Sequence, residues 1–185
     1  IIQIKALVKK TGVKVHSICA DYFMNAPLHS INTEISEQSQ KIMLRLLDNA
    51  EILGVKDIVL PCVDNSSLNN SNAEDYFVEQ MIPIVRVAEE KKINISLETD
   101  LAPDPFLKLL NRFSSNYVTV NYDIGNSAAL GYDPIEELNT YGDRITDIHI
   151  KDRVFEGGPI LLGEGNADFS VFFNKLIDID YKGPF

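Results

Sequence analysis

Five short runs in this chain alternate β-branched or other apolar residues with polar ones, and longer stretches with an apolar residue every three or four positions separate them. The runs fall near residues 14–19, 56–60, 93–98, 117–122 and 145–150 and predict strands. Between them, Glu34 to Leu53 predicts a helix with Ile35, Ile42, Met43, Leu46, Leu47, Ala50 and Leu53 on its inner face, closed by Gly54 in the left-handed region. Residues 73–91 predict a second long helix that buries Tyr76, Phe77, Met81, Ile84, Val85 and Ala88 and is kinked by Pro83. Shorter helices are expected over 1–10, 105–112 and 168–179, and from Asp133, where Asp133-Pro134-Ile135-Glu136 combines a capping carboxylate, a proline in the first turn and a glutamate three residues on. Pro61 is expected to end the second strand. Ala20 to His29 and the glycine-rich stretch Glu156 to Asn166 are expected to be loops, the first rich enough in large side chains to line a small-molecule pocket.

Strict strand–helix alternation implies a parallel sheet with helical crossovers, either open and doubly wound or closed into a barrel. Three of the runs end in residues that ligate cations: Glu98, Asp123 and His149. They stand 25 and 26 residues apart, about one strand-loop-helix-loop unit each, so they recur in register with the architecture. Functional groups on several strand ends favour the barrel, because a closed ring gathers those ends about one axis whereas an open sheet converges at a single switch point. Five strands cannot close an eight-stranded ring. The expectation is therefore one domain over residues 1–185 that is an incomplete (β/α)8 barrel.

With 185 residues and 45% hydrophobic side chains the chain can bury one substantial core. A formal charge of −10 weighs against a phosphate backbone as partner, and no apolar run reaches the roughly 20 residues of a membrane-spanning helix. Neither nucleic acid nor membrane is expected as a partner, while a homo-oligomer is compatible with the composition. Cys19 and Cys62 are too few for a disulfide framework and lack metal-type spacing; they are expected to be packed thiols in a reducing, cytoplasmic compartment. A targeting segment preceding Ile1 would be lost to this reading. His16 and His29 are expected to be structural or solvated. Gly163 and Gly165 lack the third glycine of a dinucleotide fingerprint.

Four motifs together carry a resemblance: Ile95-Ser96-Leu97-Glu98, Tyr122-Asp123-Ile124-Gly125-Asn126, Ile148-His149-Ile150-Lys151-Asp152 and Leu162-Gly163-Glu164-Gly165-Asn166-Ala167-Asp168-Phe169. In order and spacing they resemble the sugar phosphate isomerase/epimerase family with its xylose-isomerase-like TIM barrel, most nearly L-ribulose-5-phosphate 3-epimerases and hexulose-6-phosphate isomerases. The resemblance implies that about strands 3 to 7 are present, with the N-terminal units and the last strand missing. It implies one divalent ion (Mn²⁺, Mg²⁺, Co²⁺ or Zn²⁺) on Glu98, Asp123, His149 and a fourth glutamate beyond Phe185, so residues 1–185 alone are expected to be inactive.

The chemistry accounts for those residue types. Exchanging ketose epimers removes a proton from a carbon beside a carbonyl, and a metal supplies several kcal/mol of charge stabilisation to the resulting enediolate. Glu98 is expected to serve as ligand and as acid/base, with Asn126, Lys151 and Arg153 meeting the hydroxyls or phosphate of a small sugar. Taken alone, a strand-terminal carboxylate is more often a helix cap or a solvated charge, and Lys151 is as readily a solvated loop lysine. Competing functions on the same scaffold are an inosose-dehydratase-like lyase, an apurinic-endonuclease-like phosphodiesterase, which three histidines disfavour, and a non-catalytic sugar-binding barrel.

Overall fold

The computed structural model describes residues 1–185. Helix α1 (Ile2–Thr11) precedes β1 (Ser17–Cys19), and a short helix α2 (Tyr22–Asn25) occupies the first expected loop. There follow α3 (Thr33–Leu53), β2 (Asp57–Cys62), α4 (Ser71–Lys91), β3 (Asn94–Thr99), α5 (Pro103–Leu110) and β4 (Val118–Asp123). Two helices, α6 (Ile124–Leu130) and α7 (Pro134–Tyr141), lead to β5 (Ile145–His149). A two-stranded antiparallel hairpin of β6 (Asp152–Arg153) and β7 (Pro159–Ile160), the second of them inside the second expected loop, precedes α8 (Phe169–Asp178).

Strands β1 to β5 pair in sequential order, every pair parallel, with no reversal of the kind that marks a doubly wound sheet. The sheet is curled. Residues of β5 come within 8 Å, Cα to Cα, of residues in β2, whereas three flat inter-strand steps would separate them by about 14 Å. The concave side is the interior of the barrel, and Thr146 on β5 reaches Ser96 on β3 across it at 2.9 Å. Five strands curled in this way form part of a (β/α)8 barrel.

The second strand runs through Pro61 to Cys62 instead of ending there. Val59 turns its carbonyl to the amide of Ala20, so Pro61, two residues on, faces the same side, past the end of β1, whose last pair is Cys19 with Val59. The missing N–H therefore costs no ladder bond. The first strand is shorter than its pattern because β2 offers a partner only from Ser17 onward.

The convex faces of the strands and the inner faces of the helices form the core. Ile58, Leu60, Ile95, Leu97, Val118, Val120 and Ile148 are buried against residues such as Met43, Leu47, Phe77, Met81, Ile84 and Leu109. Each such side chain contributes about 1.5–3 kcal/mol on burial. Helix α3 turns the expected face inward, with Met43, Leu47 and Ala50 buried and Ile42, Leu46 and Leu53 packed against the core, but its first turns differ: Ser36 and Ser39 are buried and Ile35 is exposed. The two serines are satisfied at that buried face, Ser36 with the Tyr76 hydroxyl at 2.9 Å and Ser39 by donating to the Ala26 carbonyl at 2.8 Å. Side chains of Asn32, Asn70, Asp133 and Asp168 cap α3, α4, α7 and α8 by accepting a first-turn N–H. Gly54 closes α3 at φ 75°, as expected. No helix is long and apolar enough to cross a membrane.

Candidate metal centre

Alternation along β4 sends Val118, Val120 and Tyr122 out to the helices and Thr119, Asn121 and Asp123 into the barrel. On β3 the interior residues are Ser96 and Glu98. A register shift beside β5, between Val120 and Asn121, brings His149 opposite Asp123 in place of a neighbour one step out of phase. The three ends thus deliver Glu98, Asp123 and His149 to one place, with one ligand atom of each within 4.8 Å of the others. The His149 Nδ1 atom lies 3.5 Å from Glu98 Oε2 and 4.0 Å from Asp123 Oδ2. Glu98 and Asp123 are buried at 7% and 6% exposure, while His149 is half-buried.

Burial raises the Asp123 carboxyl above its ordinary range, and the neighbouring Glu98 charge adds to the rise. His149 is raised by its hydrogen bond to Glu98, against burial. Two desolvated carboxylates and an imidazole at this spacing favour positive charge between them. Mixed oxygen and imidazole donors suit Mn²⁺, Mg²⁺, Co²⁺ and Zn²⁺ alike, so the donor set fits a divalent ion without choosing one.

Asp123 has a second duty. Helix α6 starts immediately after it, and its Oδ1 accepts the Asn126 N–H at 2.8 Å as the helix cap. The capping reading and the ligand reading of this residue are both satisfied, by different oxygens. Helix α6 was hidden in the sequence because Ile124-Gly125-Asn126 reads as a loop. Gly125 lets it lie against the next strand connection, since a Cβ there would stand 2.9 Å from the Lys151 carbonyl carbon. That approach lets the Lys151 ammonium reach Asp123 Oδ2 at 3.2 Å and Asn126 Oδ1 at 3.1 Å. Arg153 reaches the same Asn126 oxygen at 2.9 Å and donates twice to the Gly157 carbonyl. All six residues expected to form the site therefore lie together.

Two contributors escaped the sequence reading. Asn121 donates from Nδ2 to Glu98 Oε2 at 2.9 Å and lies 3.2 Å from His149 Nδ1; the period-two series Thr119, Asn121, Asp123 is the signal that points to it. Asp152, fully buried, accepts the N–H groups of Gly163, Gly165 and Ala167 and so folds the glycine-rich segment back onto the strand end that carries Lys151 and Arg153. Behind β4, the buried Glu137 of α7 accepts the hydroxyls of Tyr122, Ser127 and Tyr141 and ties that strand to α6 and α7. Burial raises the Glu137 carboxyl despite these donors.

The centre opens into a cleft of about 530 Å³ whose walls include Met24, Pro61, Leu130 and Phe155. Cys19 is on this cleft, not packed, and donates to Asp21 Oδ1 at 3.0 Å; Cys62 is buried as expected. His29 is a structural residue, its ring edge-on to Phe77 at 5.9 Å, and His16 is half-exposed beside Asp57 at the far end of the barrel.

Metal-type donors on the C-terminal ends of neighbouring parallel strands, over a cleft built from the following loops, define the class as a barrel with its site on the strand-end rim. The family model for xylose isomerase-like TIM barrels matches residues 1–185, and the chain belongs to that family. A putative L-ribulose-5-phosphate 3-epimerase from Haemophilus influenzae is 28% identical to it over 95% of the chain and 66% of the relative. The chain thus spans about two thirds of the length of the curated relatives it matches. Among solved structures, a D-tagatose 3-epimerase-like protein superposes with a TM-score of 0.85 at 21% identity, covering 99% of this chain and 73% of the other. A D-allulose 3-epimerase from Methylomonas sp., solved with D-allulose, superposes with a TM-score of 0.77 at 21% identity over 97% and 65%. These relatives and neighbours carry the names of sugar epimerases.

Proposed function

We propose that residues 1–185 are part of one barrel domain of a metal-dependent sugar epimerase, acting on a ketose or ketose phosphate by removing the proton beside the carbonyl. The observation that carries this reading is the convergence of Glu98, Asp123 and His149 to within 4.8 Å at three adjacent strand ends. The names of the relatives support a ketose substrate, phosphorylated in the L-ribulose-5-phosphate enzymes and not in the D-allulose complex.

Glu98, Asp123 and His149 would hold one divalent ion, which when bound polarises the substrate carbonyl and lowers the cost of charge developing on its oxygen. Glu98 takes the proton from the adjacent carbon on one face of the substrate, the acid/base role worth about 10² to 10⁴ in rate for a well-placed group, and inversion is completed when a second acid delivers a proton to the opposite face. Asp123 and His149 hold their positions through the α6 cap and Asn121. Lys151 and Arg153 stand at the cleft wall to meet hydroxyls or a phosphate, and Asn126 is hydrogen-bonded to both. Met24, Pro61, Leu130 and Phe155 supply apolar surface to the cleft wall.

The test is to incubate the full-length protein with Mn²⁺ and a panel of ketoses and ketose phosphates in deuterated water, followed by NMR. The wild type should place deuterium on the carbon next to the carbonyl of one of them, and Glu98→Gln should abolish that exchange. Exchange that continues unchanged in Glu98→Gln refutes its role. Binding without exchange identifies a sugar-binding barrel instead.

A further inference from the structure

The amide of Asn126 has both of its ends engaged by protein. Its Oδ1 accepts from two cations, Lys151 Nζ at 3.1 Å and Arg153 Nη1 at 2.9 Å. Neither ammonium nor guanidinium can accept a hydrogen bond, so both cations demand the oxygen. That fixes which way the amide faces, and it leaves Nδ2 turned to Glu98 Oε1 at 2.6 Å. The backbone N–H of the same residue is held by Asp123 Oδ1 at 2.8 Å, so the side chain starts from a pinned Cα.

On the other side of Glu98, Asn121 donates to Oε2 at 2.9 Å. The carboxylate is thereby gripped by one amide on each oxygen, from β4 below and α6 beside it. A glutamate has three rotatable bonds, and two donors on opposite oxygens leave it one orientation. Resting on the reading of Glu98 as the acid/base, we infer that Asn126 is a positioning residue: with Lys151 and Arg153 as its anchors and Asn121 as its counterpart, it sets the direction in which the Glu98 carboxylate meets the substrate carbon. An amide so fully engaged acts on the substrate through Glu98.

The inference separates from a contact role in kinetics. A residue that only binds sugar changes KM, whereas one that aims the base changes kcat at nearly constant KM. Displacing a reacting group by about an ångström can cost 10² in rate. Asn126→Asp replaces the donor facing Glu98 with a second carboxylate oxygen and should turn the Glu98 head group away.

The experiment uses the full-length protein, wild type and Asn126→Asp, with two readouts: steady-state kinetics of the Mn²⁺-loaded enzyme, and crystal structures of both forms without substrate. The expected result is a fall in kcat of about a hundredfold with KM changed less than about threefold, and a Glu98 carboxylate rotated from its wild-type direction. A raised KM at unchanged kcat, or a Glu98 orientation identical in the variant, overturns the inference. Should Asn126→Asp fail to fold, Asn126→Ser removes both ends of the amide without adding charge and is judged by the same outcomes. If the wild type exchanges no proton with any ketose, the catalytic reading fails on its own, and the Glu98 orientation still decides for or against the clamp.

Discussion

Two layers of the barrel interior lie two to four residues apart on the same strands and use opposite chemistry. The lower layer is made of hydroxyls: Ser96 on β3, Thr119 on β4 and Thr146 on β5 stand 2.8–2.9 Å from one another, and Ser96 also donates to the buried Asp57 at 3.1 Å. The upper layer, at the ends of those strands, is Glu98, Asp123 and His149. Strand geometry is common to both, so the pleat and curl that gather three hydroxyls into a triangle gather three metal-type donors above it. The lower groups largely satisfy one another and need nothing from outside. Above them, two buried carboxylates face each other with an imidazole and one rim ammonium, and gain by receiving a cation. The fold sets the place, and the side chains decide whether it is structural or chemical.

The larger effect in sharpening that contrast is expected at the support of the upper layer. Asp152→Asn leaves Gly163, Gly165 and Ala167 with an amide whose one acceptor cannot serve three donors, and should destabilise the protein by about 1–3 kcal/mol in denaturant unfolding. The three N–H bonds outweigh burial and hold the Asp152 carboxyl below its ordinary range. Its contribution is therefore fully present above about pH 4 and is lost as pH falls through the lowered value. The stability gap between wild type and Asp152→Asn should close on acidification, and a gap that widens below pH 4 contradicts the assignment.

A smaller effect is expected in the lower layer. Thr119→Val keeps the shape, removes one hydroxyl from the triangle and should cost about 1 kcal/mol in the same unfolding measurement, with proton exchange of the full-length enzyme unchanged. Loss of exchange in this variant would mean that the two layers are one functional unit.

The sequence carried the parts of this architecture that repeat. The five strands and the recurrence of Glu98, Asp123 and His149 at their ends were legible because alternation and spacing are periodic signals. What escaped was aperiodic. Helix α6 is only seven residues long, begins with Ile124-Gly125, and has as its cap a residue already assigned as a ligand. The β6–β7 hairpin has two residues per strand, too few for any alternation to register. Asp152 looked like one more charge after His149, and its three backbone donors arrive from 11 to 15 residues further along the chain. On α3 the period and most of the inner face were legible, and only the first turns escaped: Ile35 is exposed and Ser36 and Ser39 are buried, because the serines find partners in Tyr76 and Ala26 that no pattern of hydrophobicity announces.

The central claim is that Glu98, Asp123 and His149 share one ion, and diffraction from the full-length protein crystallised with Mn²⁺, recorded for anomalous signal, tests it most directly. The account predicts a single peak inside the cleft within about 2.0–2.3 Å of a carboxylate oxygen of Glu98, one of Asp123 and a ring nitrogen of His149. A peak elsewhere on the molecule, or none at saturating Mn²⁺, would contradict it.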